Sequence, residues 1–121
     1  MAEMFEWGDE SVLSCDADGP AIDSARSALD LVGEALGQRA SVIALPARRL
    51  GPAFFDLRTG IAGELAQKAV NYHLKVAVIG DISRYLEAST ALRDWVRESN
   101  RRSSVWFEAS LESLAARLGG V

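Results

Sequence analysis

From Ile22 to Leu36 the apolar residues Ile22, Ala25, Leu29, Val32 and Leu36 recur at three- and four-residue spacing, with Asp23, Arg26, Asp30 and Glu34 on the other side. That periodicity predicts an amphipathic helix, and Gly37 is expected to end it. The short apolar run Ser41 to Leu45, closed by Pro46, follows. Coming after a helix, it predicts a buried strand parallel to others. A long connection, Pro46 to Arg58, with a short helix expected around Arg48 to Leu50, leads to a second stripe. Ile61, Ala62, Leu65, Ala66, Ala69 and Val70 lie opposite Glu64, Gln67, Lys68 and Asn71, which predicts a helix from Thr59 or Gly60 to about Tyr72. Leu74 to Gly80 is the clearest strand, because Val76, Val78 and Ile79 are β-branched. Leu92, Trp95 and Val96 mark a third helix from about Glu87 to Ser99. A strand is expected at Ser104 to Phe107. Ser110 caps a last helix carrying Leu111, Leu114, Ala115 and Leu118, which ends at Gly119-Gly120.

The first 15 residues read as two extended pieces, Met4 to Trp7 and Ser11 to Cys15, joined at Gly8-Asp9 as either a hairpin or one bent edge strand. From Ile22 onward the order is α-β-α-β-α-β-α. Such alternation predicts a single α/β domain spanning 1–121: a mostly parallel sheet of four to five strands with helices packed on it.

Composition narrows the classes. The chain has 121 residues, enough for one domain with a real core. Its 17 acidic and 13 basic residues give a formal charge of −4, so no nucleic-acid partner is expected. Cys15 is the only cysteine and His73 the only histidine, too few for a disulfide or a usual zinc site; no metal and no cofactor are expected. No apolar run approaches membrane-spanning length and no secretory signal is visible, so the expected setting is cytoplasmic, with no membrane partner.

In open α/β sheets, functional groups gather beyond the carboxyl ends of the strands. Arg58-Thr59-Gly60 stands there at a helix start, combining free backbone N–H groups, a hydroxyl and a guanidinium: the parts of an anion site. The plainer reading makes Thr59 an N-cap, Gly60 a point of tight approach, and Arg58 the partner of Asp56. Asp81, directly after Gly80, is either a functional carboxylate or a turn residue. Glu64, Gln67, Lys68 and Asn71 read as a solvated face, Cys15 as a small hydrophobe, Trp95 and Trp106 as core, and His73 as structural.

The run FFDLRTGIAGELAQKAVNY (Phe54 to Tyr72), with VAVIGD and RESN after it, resembles a bacterial family named domain of unknown function 4180 across nearly the whole chain. Arg101 stands where glycine is usual in that family. The resemblance implies no activity. More distantly, the element order is similar to the STAS-type domain of anti-sigma-factor antagonists, in which a strand leads through a loop to an Asp-Ser-Ser-Gly motif that opens a helix. Phe55 to Gly60 takes the equivalent place, with Arg58 and Thr59 replacing the paired serines. That likeness implies a regulatory or protein-interaction module and sets Thr59 near the hydroxyl that partner kinases phosphorylate.

Three expectations result. The first is an interaction module docking a protein partner around Asp56, Arg58, Thr59 and Gly60. The second is a small anionic ligand, bound or transformed by those residues together with a carboxylate such as Asp81, their expected neighbour across the strand ends. The third is a homo-oligomer formed through the apolar amino-terminal edge (Phe5, Trp7, Val12, Leu13).

Overall fold

The computed structural model describes residues 2–119. Strands β1 (Glu3–Trp7) and β2 (Glu10–Ser14) form an antiparallel hairpin, which decides between the two readings of this segment. The two-residue loop turns at Gly8, whose φ of +61° lies in the left-handed region. Helix α1 (Ala25–Gly37) leads to β3 (Val42–Pro46), a single 3-10 turn (Ala47–Arg49), the short α2 (Pro52–Phe55) and a second 3-10 turn (Leu57–Thr59). Then come α3 (Ile61–Asn71), β4 (Lys75–Ile79), α4 (Ser83–Ala88), α5 (Thr90–Arg101), β5 (Val105–Glu108) and α6 (Leu111–Leu118). The expected α/β class and mostly parallel sheet are what is observed: five strands in the order β1-β2-β3-β4-β5, parallel from β2 onward.

That order has a geometric consequence. Right-handed crossovers that always step in the same direction place their helices on one face of the sheet. Accordingly, Leu13, Ile43, Leu45, Val76 and Val78 face α1, α3 and α5 in one continuous core, with Phe54 and Leu65 fully buried in it. The opposite face carries Val12, Val42, Ala44, Ala77 and Trp106 and is covered by α6 through Leu111, Leu114 and Leu118, with Phe5 and Trp7 packed beside it. A methyl group on Gly8 would overlap the Leu118 carbonyl oxygen, so the hairpin turn sits directly against the last turn of α6. Across this face Glu10 pairs with Lys75, whose ammonium stands 5.9 Å from the centre of the Trp106 ring. The hydrogen bond from Lys75 holds the Glu10 carboxyl below its ordinary pKa.

Local boundaries moved where capping chemistry competes with periodicity. Ser24 caps α1 in a reciprocal box with Ser27, so the helix starts three residues after Ile22. Ile22 instead donates its N–H to the Arg49 carbonyl (2.8 Å) and is buried. Gly37 lies inside the helix, and the left-handed residue beyond it is Arg39 (φ +59°). The expected third helix is two helices. Ser89, in extended backbone, caps α5 through the Leu92 N–H (3.1 Å), and Ser83 to Ala88, read from sequence as loop followed by helix start, forms α4. Ser110 caps α6 as expected, and Gly119 (φ +75°) ends it; Gly120 lies outside the described residues.

Val12 and Leu13 are core residues at 0 % and 1 % exposure, which removes them from the apolar edge expected for oligomer formation. Of the residues expected there, Phe5 and Trp7 remain on β1, stacked at 5.0 Å and both half-buried, beside exposed Glu3, Met4 and Glu6. Trp106 is core, whereas Trp95 is half-buried, edge-on to Phe107.

Candidate functional site

The connection from β3 to α3 is anchored by aromatic packing. Phe54 and Phe55 are buried and meet edge to face, and Phe55 stacks on Tyr85 of α4 at 4.1 Å with their planes 15° apart. Those anchors hold Asp56 to Gly60 at the surface above them. Asp56 accepts from the Arg58 N–H (3.1 Å), and its two carboxylate oxygens each take an Arg58 guanidinium nitrogen at 3.0 Å. This fork stands in solvent, with the Arg58 side chain 91 % exposed. It holds the Asp56 carboxyl below its usual range and raises the Arg58 guanidinium.

Thr59 is not the N-cap of α3. Its hydroxyl shares its proton between the Ala53 (2.6 Å) and Asp56 (2.9 Å) carbonyls and accepts from the Ile61 N–H at 3.3 Å. Gly60 occupies the cap position at φ +78°, and a Cβ placed there would meet nothing within 4 Å. Its requirement is therefore the left-handed backbone, not the tight approach read from sequence. The pairing of Arg58 with Asp56 is as expected. With the guanidinium forked on that carboxylate and the first helical N–H taken by Thr59, the expected anion cradle is largely satisfied from within.

Asp81 closes a turn. It accepts from both the backbone N–H and the hydroxyl of Ser83, and these bonds hold its carboxyl below the usual range. Asp56 and Arg58 line one cleft, of about 440 Å³, between α2 and the α4–α5 junction. Asp81 lines the adjoining cleft, of about 400 Å³, at the carboxyl ends of β3 and β4. Tyr85 is a wall of both, so the two clefts are neighbours separated by its ring.

Three residues that the structure makes prominent were not among the expected site residues. Arg49 is buried, its Nε donating to the Pro20 carbonyl (2.9 Å) and its Nη1 to the Asp16 carbonyl (3.3 Å). A Cβ on Gly19 would collide with that guanidinium, so the Asp16–Pro20 loop is wrapped around it. Asn100, the last residue of the Glu-Ser-Asn motif, accepts from the Phe107 N–H at 2.7 Å and so satisfies an outward-facing donor on β5. Tyr85 had no sequence signal beyond its place in the loop after β4. Arg49 acts on a loop brought to it by tertiary folding, and no short-range pattern marks that.

On α3 and at Cys15 the local readings hold. Lys68 pairs with Glu64 (3.3 Å) and Gln67 with Asn71 (2.9 Å) along an outer face of α3. Cys15 is buried, and desolvation pushes its thiol up to about 11. His73 takes a left-handed conformation (φ +57°) just past α3. Among the described residues no group of three or more His, Cys, Asp and Glu side chains could hold a metal ion, and no helix is long and apolar enough to cross a membrane.

The family model described as Domain of unknown function (DUF4180) matches residues 8–118. No curated protein and no solved structure matches the chain.

Proposed function

For a chain that belongs to the DUF4180 family, we propose the role of a regulatory, protein-interaction module whose docking surface is the Asp56–Gly60 projection. One observation carries this reading. The polar groups of the motif are closed on each other over a buried aromatic base, which yields a pre-shaped, exposed projection. A projection ordered before contact loses little conformational entropy on binding. It also offers an arginine, a residue enriched where protein interfaces hold their energy. The carboxyls of Asp56 and Asp81 sit below their ordinary range, which makes both poor proton donors at neutral pH.

Support for a STAS-like arrangement comes from the element order: a parallel strand, a connection ending in Asp56–Gly60, a helix, then a strand that runs into Gly80. In that arrangement Thr59 occupies the place of the phospho-acceptor. A phosphate ester would remove the proton that Thr59 now shares with the Ala53 and Asp56 carbonyls, and would add negative charge beside Arg58. Phosphorylation would therefore reshape the projection itself. An anionic ligand held at Arg58-Thr59-Gly60 has less support, because the fork and the Thr59 hydroxyl already occupy those donors.

The test is quantitative affinity capture with the intact chain and with Arg58→Ala and Thr59→Glu. The expected result is a partner whose recovery falls at least about tenfold in both variants, while their thermal midpoints match the parent. If every captured protein is recovered equally from all three chains, the projection is not a docking surface.

A further inference from the structure

One of the clefts that Asp81 lines, the one at the carboxyl ends of β3 and β4 next to the proposed docking surface, has a charge arrangement of its own. Its floor is the carboxyl ends of β3 and β4, where Gly80 (φ +135°) comes so close to Ala47 that a Cβ would stand 3.2 Å from the alanine methyl. Arg48 and Arg84 both line the opening. Arg84 is held in place without a counter-charge. Its guanidinium carbon stands 4.8 Å from the centre of the Tyr85 ring, and its Nη2 donates to the Tyr85 hydroxyl at 2.7 Å. Among the described residues no carboxylate pairs with it.

Tyr85 is itself fixed by its stack on Phe55, so the cation rests on a rigid support. Among the described residues Arg48 pairs only with Asp18, at 3.2 Å, and that pair is open to water, with the side chains 69 % and 80 % exposed. Exposed pairs of this kind are weak and exchange readily. Asp81 contributes the opposing charge, one carboxylate against two guanidinium groups, and Ser83 already occupies one of its oxygens.

We infer that this cleft is a binding site for the phosphate group of a small molecule, with Arg84 as the fixed cation and Arg48 as a second arm that leaves Asp18 to close on it. Two guanidinium groups in one cleft offer more N–H donors than the two oxygens of a carboxylate can use, and they suit the additional oxygens of a phosphate. A cleft of about 400 Å³ is of metabolite size.

The site is tested with inorganic phosphate itself, by following backbone amide shifts of the intact chain against chloride at matched ionic strength and against acetate. The expected outcome is a saturable shift centred on Gly80 to Tyr85 and Arg48, tighter for phosphate than for acetate. Arg84→Ala should weaken it roughly tenfold or more, and Arg84→Lys by less, because the charge stays while the planar fork is lost. Asp81→Asn should tighten binding, since it removes the repelling charge, and Arg58→Ala should leave it unchanged. The assignment is overturned if no saturable shift occurs, if acetate binds as well as phosphate, if Arg84→Ala binds as the parent does, if Asp81→Asn weakens binding, or if Arg58→Ala abolishes it. Circular dichroism of each variant confirms that a loss is not unfolding. Because Arg58→Ala is the disruptive variant for partner docking and the neutral one here, the two sites fail independently.

Discussion

The two faces of the sheet are built differently. One is closed by three crossover helices on an apolar core that includes Phe54, Leu65 and Leu92. The other has a single helix, small strand residues (Ala44, Ala77), one buried tryptophan and the Glu10–Lys75 pair spanning it. The difference follows from strand order. Because β2 to β5 are laid down in sequence, every right-handed crossover falls on the same face, and the opposite face is left for the hairpin and the last helix to cover. The same order never reverses among the parallel strands, so no switch-point crevice opens at their carboxyl ends. What forms there instead is a row of adjoining shallow clefts. This is why Asp56 and Asp81 line neighbouring clefts with Tyr85 between them.

The contrast between faces can be broken experimentally. The largest effect is expected at Phe54→Ala, where truncating a side chain 1 % exposed in the three-helix face should cost about 4 kcal/mol in denaturant titration. A cost below about 1 kcal/mol would mean that this face is not the main core. Gly8→Ala comes next, at roughly 2–3 kcal/mol, from a left-handed backbone and the overlap with Leu118. Hydrogen exchange should then show α6 losing protection while α3 keeps it. Simultaneous loss in both helices would make the two faces one cooperative unit.

Glu10→Gln should cost about 1–2 kcal/mol at neutral pH. The folded-state pKa of Glu10 is depressed, so its contribution is complete above the unfolded value near 4.5 and is lost as pH falls through the lower folded value. The parent should therefore lose more stability than Glu10→Gln on acidification below pH 4.5, and parallel pH profiles would count against the pair. The smallest effect is expected at Cys15, whose burial and raised pKa should make it inert to a thiol-alkylating reagent at pH 8 until the chain unfolds. Prompt native-state labelling would place Cys15 outside the core.

Short-range chemistry was legible in the sequence, and it served best where partners are close along the chain. Most of the α3 stripe, the Ser110 cap, the Lys68–Glu64 pair and the Asp56–Arg58 pair join residues within a few positions of each other. On α1, by contrast, the buried residues are Ala28, Leu31, Val32 and Ala35, and the expected Ala25, Leu29 and Leu36 lie exposed. Thr59 was misassigned for a related reason. A threonine before glycine at a helix start reads as a cap, but the 3-10 turn just before it presents the Ala53 and Asp56 carbonyls, and these draw the hydroxyl. Ser24 and Ser89 displaced two helix starts in the same way, by local bonds that outcompete continued periodicity.

By itself, then, the sequence determined the α/β class, the alternation of helix and strand and the Asp56–Arg58 pairing, because each depends on contacts a few residues long. Only the tertiary structure decided the unbroken strand order, the burial of Arg49 in a distant loop, the capping of β5 by Asn100 and the stack that sets Tyr85 between two clefts. All of these but the Asn100 bond, which spans seven residues, join segments far apart along the chain. The free energy that selects them comes from burying both faces of the sheet at once, and no window of residues contains it.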